Sequence, residues 1–332
     1  MHRTLFVLAA VTWAGCTTVR APTGTVVFQG MCDASGAVVL DDGRFAVADD
    51  EENLLRIYDS RRGGPPVRTV DLSDSLELQR GKRKYPEIDI EAATQLGSLS
   101  FWLISHGRRS SGKRDESRFR FFATEIRGDG AEVRVVGKPS SRLLEDLLAA
   151  PQLAPYALAA ASQLPPKEPG GLNIEGMTAM EDGRSVLIGF RNPVPEGKAL
   201  LVPLLNPAEV VQGAPARFGE VRRFDLGGRG IRALSWWRGR YLLIGGGVDG
   251  TGTSQLFEWR SDQDQPSRVH SVDFTGFNPE GFVSPEESED LLVLSDDGSV
   301  RVDGTECKRQ KDPARKAFRG LWIRLPAPSR SK

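Results

Sequence analysis

The chain repeats a short unit in which an apolar strand, a tight turn and a second apolar strand follow one another. Two copies, at residues 36–49 and 176–189, carry the turn sequence Asp-Gly-Arg between apolar runs. Three more copies lie at residues 91–105, 230–245 and 281–295. An Asp-Gly pair between β-rich runs is a strong signal for a hairpin. The repeat therefore predicts five related hairpins, and this constrains the fold more than any other feature.

Further β-rich stretches extend each hairpin toward a four-stranded sheet. The fifth hairpin is followed by one such stretch, at residues 320–325, and an unused stretch at 24–28 precedes the first hairpin. The first four hairpins are each followed by two stretches, at residues 54–58 and 67–72, 119–126 and 132–136, 199–204 and 220–226, and 255–259 and 269–274.

Four-stranded units that recur along a chain are typical of β-propellers. We predict an all-β chain that forms a single β-propeller over residues 24–325. Its five four-stranded blades are expected to be closed by the N-terminal strand, which completes the last blade. Six blades is the alternative, if the unit around residues 89–137 or the insertion after it contains another sheet.

One stretch between the second and third units follows a helical pattern instead. Leucines at positions 143, 144, 147 and 148 recur at helical spacing, Ser141 stands where an N-cap is expected, and Glu145 follows in the first turn. Pro151 and Pro155 break the pattern into two pieces. We predict a short helical insertion at residues 140–163, which is either a lid over one face or a cover for an exposed sheet edge.

The N-terminus has the layout of an export signal. A basic start is followed by an apolar run that is too short to span a bilayer, and then by small residues that end at Cys16. Ala14-Gly15-Cys16 resembles a bacterial lipoprotein box, although Trp13 stands where an aliphatic residue is expected. We predict an export signal over residues 1–16, lipidation of Cys16, and a location in the periplasm or outer cell envelope. A buried N-terminal helix is the alternative.

Two cysteines, Cys32 and Cys307, remain once Cys16 is assigned to the lipid. An even pair of cysteines in an exported protein favours a disulfide. This disulfide would join the two ends of the chain. Two separate buried thiols are the alternative.

Charge and composition exclude several classes of function. Lys plus Arg and Asp plus Glu both number 44, so no net charge attracts the chain to nucleic acid or to an acidic membrane surface. The three histidines leave little for a histidine-rich metal centre. The chain also lacks the Gly-x-Ser-x-Gly elbow of serine esterases and the His-Glu-x-x-His helix of zinc peptidases. We expect a monomer that binds no nucleic acid and meets the membrane only through its lipid anchor.

Propeller topology predicts which residues surround the channel. The connections that enter each innermost strand and those that leave each second strand emerge on the same face. At the entry positions the five units place Asp33, Glu91, Glu175, Arg232 and Glu280. A ring of carboxylates repels itself unless a cation compensates it, and oxygen-only ligands suit Ca²⁺ or Mg²⁺. We predict Ca²⁺ held by Asp33, Glu91, Glu175 and Glu280. Alternatively, these acids accept hydrogen bonds from neighbouring inner strands and lock the ring.

Basic residues accompany the acids on the same face. Arg232 enters an innermost strand, Arg108 and Arg191 follow second strands, and two basic loops lie at residues 108–120 and 308–316. A basic rim above an acidic channel can collect phosphate, carboxylate or sulfate groups beside a metal. We predict anion binding by Arg108, Arg191 and Arg232. Ordinary solvated surface loops are the alternative for the two basic runs.

Four motifs carry a resemblance to known families, at residues 31–36 (MCDASG), 172–177 (LNIEGM), 232–236 (RALSW) and 278–282 (NPEGF). Over residues 28–325 the chain resembles an uncharacterised bacterial family, domain of unknown function 3616, which implies a propeller-like fold and no established activity. The Glu-Gly pairs at Glu175 and Glu280 also resemble, more distantly, the esterase-like phytase propellers. That second resemblance implies a calcium-dependent phosphoester site at these two residues, although Ala92 and Arg232 depart from its pattern.

The sequence thus supports one leading function and one alternative. The leading function is that of an exported propeller protein that binds a divalent cation and a small anionic molecule at the channel mouth. If the chain is an enzyme, the expected chemistry is metal-assisted phosphoester hydrolysis. The alternative is a non-catalytic scaffold of the cell envelope that binds a protein or a glycan. The sequence assigns no catalytic residue.

Overall fold

The computed structural model of the chain describes residues 24–40, 43–78, 85–128 and 130–326. The predicted export signal, including Cys16, lies outside the described residues. Among the described helices, none combines the length and the apolar character needed to cross a bilayer.

Five four-stranded antiparallel sheets form the blades of a β-propeller. β1 (Gly24–Gln29) opens the described chain. Blade one contains β2 (Ala34–Val39), β3 (Arg44–Asp49), β4 (Leu54–Asp59) and β5 (Arg68–Asp71). Blade two contains β6 (Ile90–Leu96), β7 (Leu99–Ile104), β8 (Phe121–Arg127) and β9 (Glu132–Ser140).

The remaining blades repeat this order, with helices only in the connections. Blade three contains β10 (Asn173–Ala179), β11 (Val186–Asn192), β12 (Ala199–Leu204) and β13 (Arg222–Phe224). Blade four contains β14 (Gly230–Trp237), β15 (Arg240–Gly246), β16 (Gln255–Trp259) and β17 (Ser267–Arg268). Blade five contains β18 (Pro279–Val283) and β19 (Asp290–Ser295), then, after the short hairpin β20 (Arg301–Val302) and β21 (Thr305–Glu306), β22 (Ala317–Arg324). The α-helices are α1 (Leu143–Ala149), α2 (Leu158–Ala161) and α3 (Pro207–Val210).

The first strand of the chain closes the ring. β1 pairs antiparallel with β22 and forms the outer edge of blade five. Its Phe28 is fully buried against Phe45 and Tyr58 of blade one and Phe318 of blade five. The prediction of five blades closed by the N-terminal strand is therefore confirmed, and the structure has five blades rather than six.

Hydrophobic cores lie at the junctions between blades. Each of the five junctions has its own cluster of buried apolar side chains, such as Val47, Leu292 and Phe318 between blades five and one. The innermost and second strands are buried along most of their length because each blade covers the face of the next. Strands buried on both faces read as nearly continuous apolar runs. This burial explains why the hairpin repeat is visible in the sequence.

Hydroxyl groups join neighbouring innermost strands below these cores. Thr94 Oγ1 of blade two accepts a hydrogen bond from the Ala179 amide of blade three, at 2.7 Å. Thr178 Oγ1 of blade three accepts one from the Trp236 amide of blade four, at 2.6 Å. The ring is thus held by short side chains at one end of the innermost strands, which leaves the acids at the other end for different partners.

The helical insertion packs into the junction between blades two and three. α1 and α2 flank a 3-10 turn at Pro151–Tyr156, so both prolines fall between the helices as predicted. Leu143, Leu147 and Leu158 are buried in the same cluster as residues of both blades. The helices therefore extend the core of this junction instead of lying over one face as a lid.

Two local predictions are wrong. The N-cap of α1 is Arg142 and not Ser141, and no side chain caps this end. The fourth strand of blade four is the two-residue β17, not a strand at 269–274. Within the predicted stretch, Asp273 begins a turn in which it accepts hydrogen bonds from the amide and hydroxyl of Thr275.

Ring closure through β1 predicts unequal effects of two neighbouring substitutions. Phe28→Ala removes a fully buried ring from the closing strand and should lower the free energy of unfolding by about 3–5 kcal/mol. Val27→Ala lies on the same strand, but Val27 is 50% exposed, so the change should be below about 1 kcal/mol. Urea unfolding followed by circular dichroism measures both. Equal losses in the two variants would show that burial of β1 does not close the ring.

Candidate functional site

Each innermost strand carries a β-bulge on the side of the channel where the strand begins. At each bulge, one or two residues have no partner on the neighbouring second strand. These residues are Ser35 and Gly36 in blade one and, in blades two to five, Glu91, Glu175, Arg232 and Glu280. A bulge re-aims the side chain that it carries. Four of these residues, Gly36, Glu91, Glu175 and Glu280, line a central cavity of about 20 Å³, enough for one water molecule. We call the bulged residues of blades two to five the bulge ring.

Blade one departs from the predicted arrangement. Its bulge holds Ser35 and Gly36, whereas Asp33 precedes β2 and forms an isolated bridge with Asp296. A Cβ added at Gly36 would lie only 2.5 Å from the carbonyl carbon of Ala92, so this bulge needs glycine for the close approach of blades one and two. Asp33 is therefore not part of the bulge ring.

Two arginines neutralise two carboxylates of the ring. Arg191 Nη1 donates to Glu175 Oε1 at 2.5 Å, Arg232 pairs with Glu280, and Arg232 Nε lies 3.7 Å from Glu175 Oε2. Asn173 Nδ2 donates to the same Glu175 Oε1 at 2.7 Å. All these side chains are buried. Glu175 and Glu280, both predicted metal ligands, thus have counter-charges inside the protein.

A second group of acids lies beside the ring, near blades one and two. We call it the carboxylate cluster, and its members are Asp33, Asp49, Asp50, Asp89 and Glu91. Oxygens of Asp33, Asp49 and Asp50 all lie within 4.8 Å of one another, and so do oxygens of Asp50, Asp89 and Glu91. Asp50 belongs to both sets and is the centre of the cluster. In the described part of the chain, no other group of three or more His, Cys, Asp or Glu side chains is spaced this closely.

Burial and mutual repulsion raise the pKa values of the cluster. Burial, followed by the charges of Asp296 and Asp49, raises the pKa of Asp33 to about 9. Burial raises the pKa of Asp49 to about 7. Burial and the surrounding acids raise the pKa of Asp50 and of Glu91 well above the usual range. Both causes disfavour the charged carboxylate, so these groups either hold protons or require a cation.

Basic side chains compensate the edges of the cluster. Arg56 Nη1 lies 3.2 Å from Asp49 Oδ2, and Arg118 pairs with Asp89. Lys308, from the second basic loop, lies 2.9 Å from a carboxylate oxygen of Glu51. Of the members of the cluster, these contacts therefore account for Asp49 and Asp89 only, since Glu51 lies outside it.

The centre of the cluster has no basic partner. Among the described residues, no Lys, Arg or His lies within ion-pair distance of Asp33, Asp50 or Glu91. Asp50 keeps some exposed surface, but its Oδ1 is buried and has no hydrogen-bond partner. Glu91 is buried as well. Each of the two sets that share Asp50 offers three carboxylates, and carboxylate oxygens are ligands that Ca²⁺ takes.

Arg108, predicted to bind an anion, is used within the protein. Its guanidinium donates to the carbonyls of Ser162 and Gly112, at 2.9 and 3.1 Å, and to Gln163 Oε1 at 2.5 Å. Arg108 therefore fastens the first basic loop to the end of the helical insertion.

The two other predicted anion-binding arginines differ in their free donors. Arg232 is enclosed by Glu175 and Glu280. Arg191 uses Nη1 for Glu175 and Nε for the Gly247 carbonyl at 3.2 Å. Its Nη2 has no hydrogen-bond partner in the described residues, so Arg191 keeps a donor for a ligand.

Acids pair with many of the charges of the two basic loops. The pairs are Arg109 with Asp115, Arg114 with Glu116, Lys308 with Glu51, Arg315 with Asp303, and Lys316 with Glu52. Most of these pairs are at least partly exposed, where an ion pair contributes about 0–1 kcal/mol. The loops consequently offer less free positive charge than their sequences indicate.

A disulfide bond joins Cys32 and Cys307, which are 275 residues apart. Cys32 directly precedes Asp33, and its carbonyl accepts a hydrogen bond from the Asp297 amide at 2.9 Å. The bond thus ties the connection between β21 and β22 to the start of blade one, beside the carboxylate cluster.

Asp49, Asp50 and Asp89 were not among the predicted ligands. Two consecutive acids directly after the apolar run of β3, and an acid two positions before Glu91, are the sequence signals that point to them. Asp50 and Asp89 lie just outside β3 and β6, in connections whose relative positions the sequence repeat does not define.

These features define the chain as a five-bladed β-propeller with a bulge in every innermost strand. Residues 125–275 match the model of a family described as Protein of unknown function (DUF3616), which confirms the first resemblance. The resemblance to the esterase-like phytase propellers stays a prediction. Comparison with curated proteins gives no match.

Solved structures similar to this chain are distant in sequence. A GH43 β-1,3-galactosidase with galactodeoxynojirimycin has a TM-score of 0.52 at 11% identity, over 92% of this chain and 95% of the other. The PQQ-bound aldose sugar dehydrogenase of Streptomyces coelicolor has a TM-score of 0.44 at 9% identity, over 92% and 100%. Glutaminyl cyclase of Myxococcus xanthus has a TM-score of 0.45 at 10% identity, over 91% and 95%. The first similarity shows a shared fold, and the other two carry no further conclusion.

His106 follows β7 near the site and is held in its neutral form. Its Nδ1 lies 2.5 Å from the Ile104 carbonyl, so Nδ1 carries the proton and donates. Nε2 is buried without a hydrogen-bond partner. Burial lowers the pKa of His106 to about 4.

This lowered pKa predicts an acid-sensitive contribution to stability. The folded chain takes up the His106 proton less readily than the unfolded chain, so the contribution is complete above about pH 6.5 and is lost as the pH falls toward 4. His106→Asn suits the backbone, because His106 has a φ of 52° and Asn tolerates that region. Between pH 7 and 4 the wild type should lose roughly 3 kcal/mol more unfolding free energy than the variant. Urea unfolding at several pH values measures this, and parallel pH profiles would contradict it.

Proposed function

We propose that this protein binds Ca²⁺ in the carboxylate cluster, with Asp33, Asp50 and Glu91 as the main ligands. The observation that carries the proposal is Asp50, which belongs to both sets of closely spaced carboxylates and whose buried Oδ1 has no hydrogen-bond partner among the described residues. Only oxygen ligands converge there, which suits Ca²⁺ better than Zn²⁺. A divalent cation would offset the repulsion that raises the pKa of these acids.

Glu175 and Glu280 have a different role in this proposal. Each is paired with a buried arginine, so it positions that arginine at the channel mouth and is not needed as a ligand. The sequence prediction of a four-acid metal ring is thus revised to a cluster that keeps Asp33 and Glu91 and adds Asp50.

An anionic small molecule is the second part of the proposal. Arg191 donates through Nη1 to Glu175 and through Nε to the Gly247 carbonyl, which leaves Nη2 for a ligand. We propose that this anionic molecule is a phosphoester. A divalent cation held by Asp33, Asp50 and Glu91 would supply Lewis-acid polarisation of a phosphoryl oxygen, and Arg191 would orient the ester. The protein would act as a lipid-anchored monomer of the periplasm or outer cell envelope.

A non-catalytic envelope scaffold is the second candidate function. The opposite mouth of the channel contains a cavity of about 610 Å³, lined by Trp236, Gln95 and Ser98 among others. A cavity of this size fits a small ligand or part of a glycan. In that case the propeller would bind a partner through this mouth, and the cation would serve the fold.

Calorimetric titration with CaCl₂ of protein that a chelator has freed of metal tests the metal site. The wild type should bind Ca²⁺, and Asp50→Asn should weaken binding by at least about tenfold, because the central ligand loses its charge. Asp264→Asn is the matched control, since Asp264 is exposed and outside the cluster. Absence of Ca²⁺ binding in the wild type would overturn the proposal.

Glu280→Gln separates the ring from the metal site. This variant should keep Ca²⁺ binding within about twofold but lose about 3 kcal/mol of unfolding free energy, because buried Arg232 loses its closest counter-charge. Calorimetry and urea unfolding measure the two effects. Loss of Ca²⁺ binding at unchanged stability would restore Glu280 as a ligand.

An assay of hydrolysis over a panel of phosphoesters distinguishes the hydrolase from the scaffold, since bound Ca²⁺ without turnover favours the scaffold.

A further inference from the structure

Lys167 and Arg191 face the same point above Gly250. A Cβ added at Gly250 would lie 3.1 Å from Arg191 Nη2 and 4.0 Å from Lys167 Nζ. Gly250 itself has a φ of 85°, a conformation that favours glycine. The lack of a side chain at this position thus forms a cradle between two cations that lie far apart in the sequence.

Arg191 is fixed before any ligand binds. It is only 3% exposed, and its Nη1 and Nε are held by Glu175 and by the Gly247 carbonyl. Nη2 is the nitrogen that faces the cradle and has no hydrogen-bond partner among the described residues. A buried guanidinium with one unused edge favours an anion over further solvent contact.

Lys167 reaches the cradle on a loop that is also held in place. This loop connects α2 to β10, and Asn192 Nδ2 donates to the carbonyls of Pro166 and Glu168, at 2.9 and 2.7 Å. These carbonyls belong to the residues on either side of Lys167, and Asn192 is fully buried. The Lys167 side chain is exposed, and Nζ has no ion-pair or hydrogen-bond partner in the described ranges. Its backbone is therefore positioned while its charge remains free.

Asp249, the acid next to Gly250, is bonded within its own loop. Asp249 Oδ1 accepts hydrogen bonds from the amide and hydroxyl of Thr251, at 2.9 and 2.8 Å. Glu175 faces Arg191 from the opposite side, through Nη1. Neither carboxylate is bonded to Nη2 or to Nζ, so both cations remain available to a ligand.

We propose that Lys167, Arg191 and Gly250 form a clamp for the phosphate group of a small phosphoester. Arg191 Nη2 donates to one phosphate oxygen, Lys167 Nζ attracts another, and Gly250 leaves room for the group between them. This clamp is the anion site of the function proposed above. Any reaction at the clamp rests on that proposed function, but binding of the anion does not require the metal. Lys167, on the loop between α2 and β10, is the specificity-determining residue that the sequence did not indicate.

Titration calorimetry with inorganic phosphate, in chelator and at moderate salt, tests the clamp. Lys167→Met should weaken phosphate binding about tenfold or more, which corresponds to one charged hydrogen bond. Lys138→Met is the matched control, because Lys138 is also exposed but lies on β9, and it should change binding by less than about twofold. Gly250→Ala fills the cradle and should also abolish phosphate binding at the clamp. Lys167→Arg should keep most of the phosphate affinity. Sulfate, tested in parallel, should compete because it has the same tetrahedral oxygens.

Two results would overturn the clamp: no phosphate or sulfate binding by the wild type, or equal weakening by Lys167→Met and Lys138→Met. Ca²⁺ titration of the same proteins keeps the two proposals apart. If the wild type binds Ca²⁺ but no phosphate, the clamp is wrong and the metal site stands. If phosphate binds in a Lys167-dependent way and Ca²⁺ does not bind, the clamp stands and the metal site is wrong.

Discussion

The structure depends on the close approach of five innermost strands around a narrow channel. Each of these strands bulges where it enters the channel, and the bulges turn charged residues toward a cavity that holds about one water molecule. Four of the five positions carry Glu or Arg, and the fifth carries Ser35 and Gly36 so that blade one can approach blade two. Packing of the ring thus concentrates charge where water is scarce. Such charge must be paired, protonated or bound to a ligand, because desolvation of an unpaired charge is costly.

The ring and the carboxylate cluster meet this requirement in different ways. In blades three to five, Glu175 and Glu280 are balanced by Arg191 and Arg232, so this half of the channel mouth is electrostatically complete. Near blades one and two the arginines reach only the outer acids, and Asp50 remains at the centre with an unpartnered oxygen. The asymmetry arises from the small bulge of blade one, which provides no charged side chain to face Glu91. Arginines neutralise the acids on one side of the mouth, whereas on the other side the acids either hold protons or, as proposed, bind a cation.

The hairpins, the five blades and closure by β1 could be predicted because inner strands buried on both faces leave a repeated apolar pattern. Once the hairpins are assigned to blades, propeller topology places the acids at the entries of the innermost strands on one face. The pairing within that face could not be predicted, because one bulge of one residue decides whether Asp33 or Ser35 faces the channel. The position of Lys167 could not be predicted either, because it depends on hydrogen bonds from Asn192 to the carbonyls of Pro166 and Glu168, and no spacing in the sequence indicates that contact.

The helical insertion therefore has two physical roles that come from one arrangement. Its leucines complete the core between blades two and three, and this packing fixes where the chain leaves α2. The loop that follows is then short enough, and held firmly enough by Asn192, to deliver Lys167 to Gly250 on a connection of blade four. Arg108 fastens the same end of the insertion to the first basic loop. The loop that follows the insertion thus places Lys167, which pairs with no acid among the described residues, next to Nη2 of Arg191, which has no hydrogen-bond partner there.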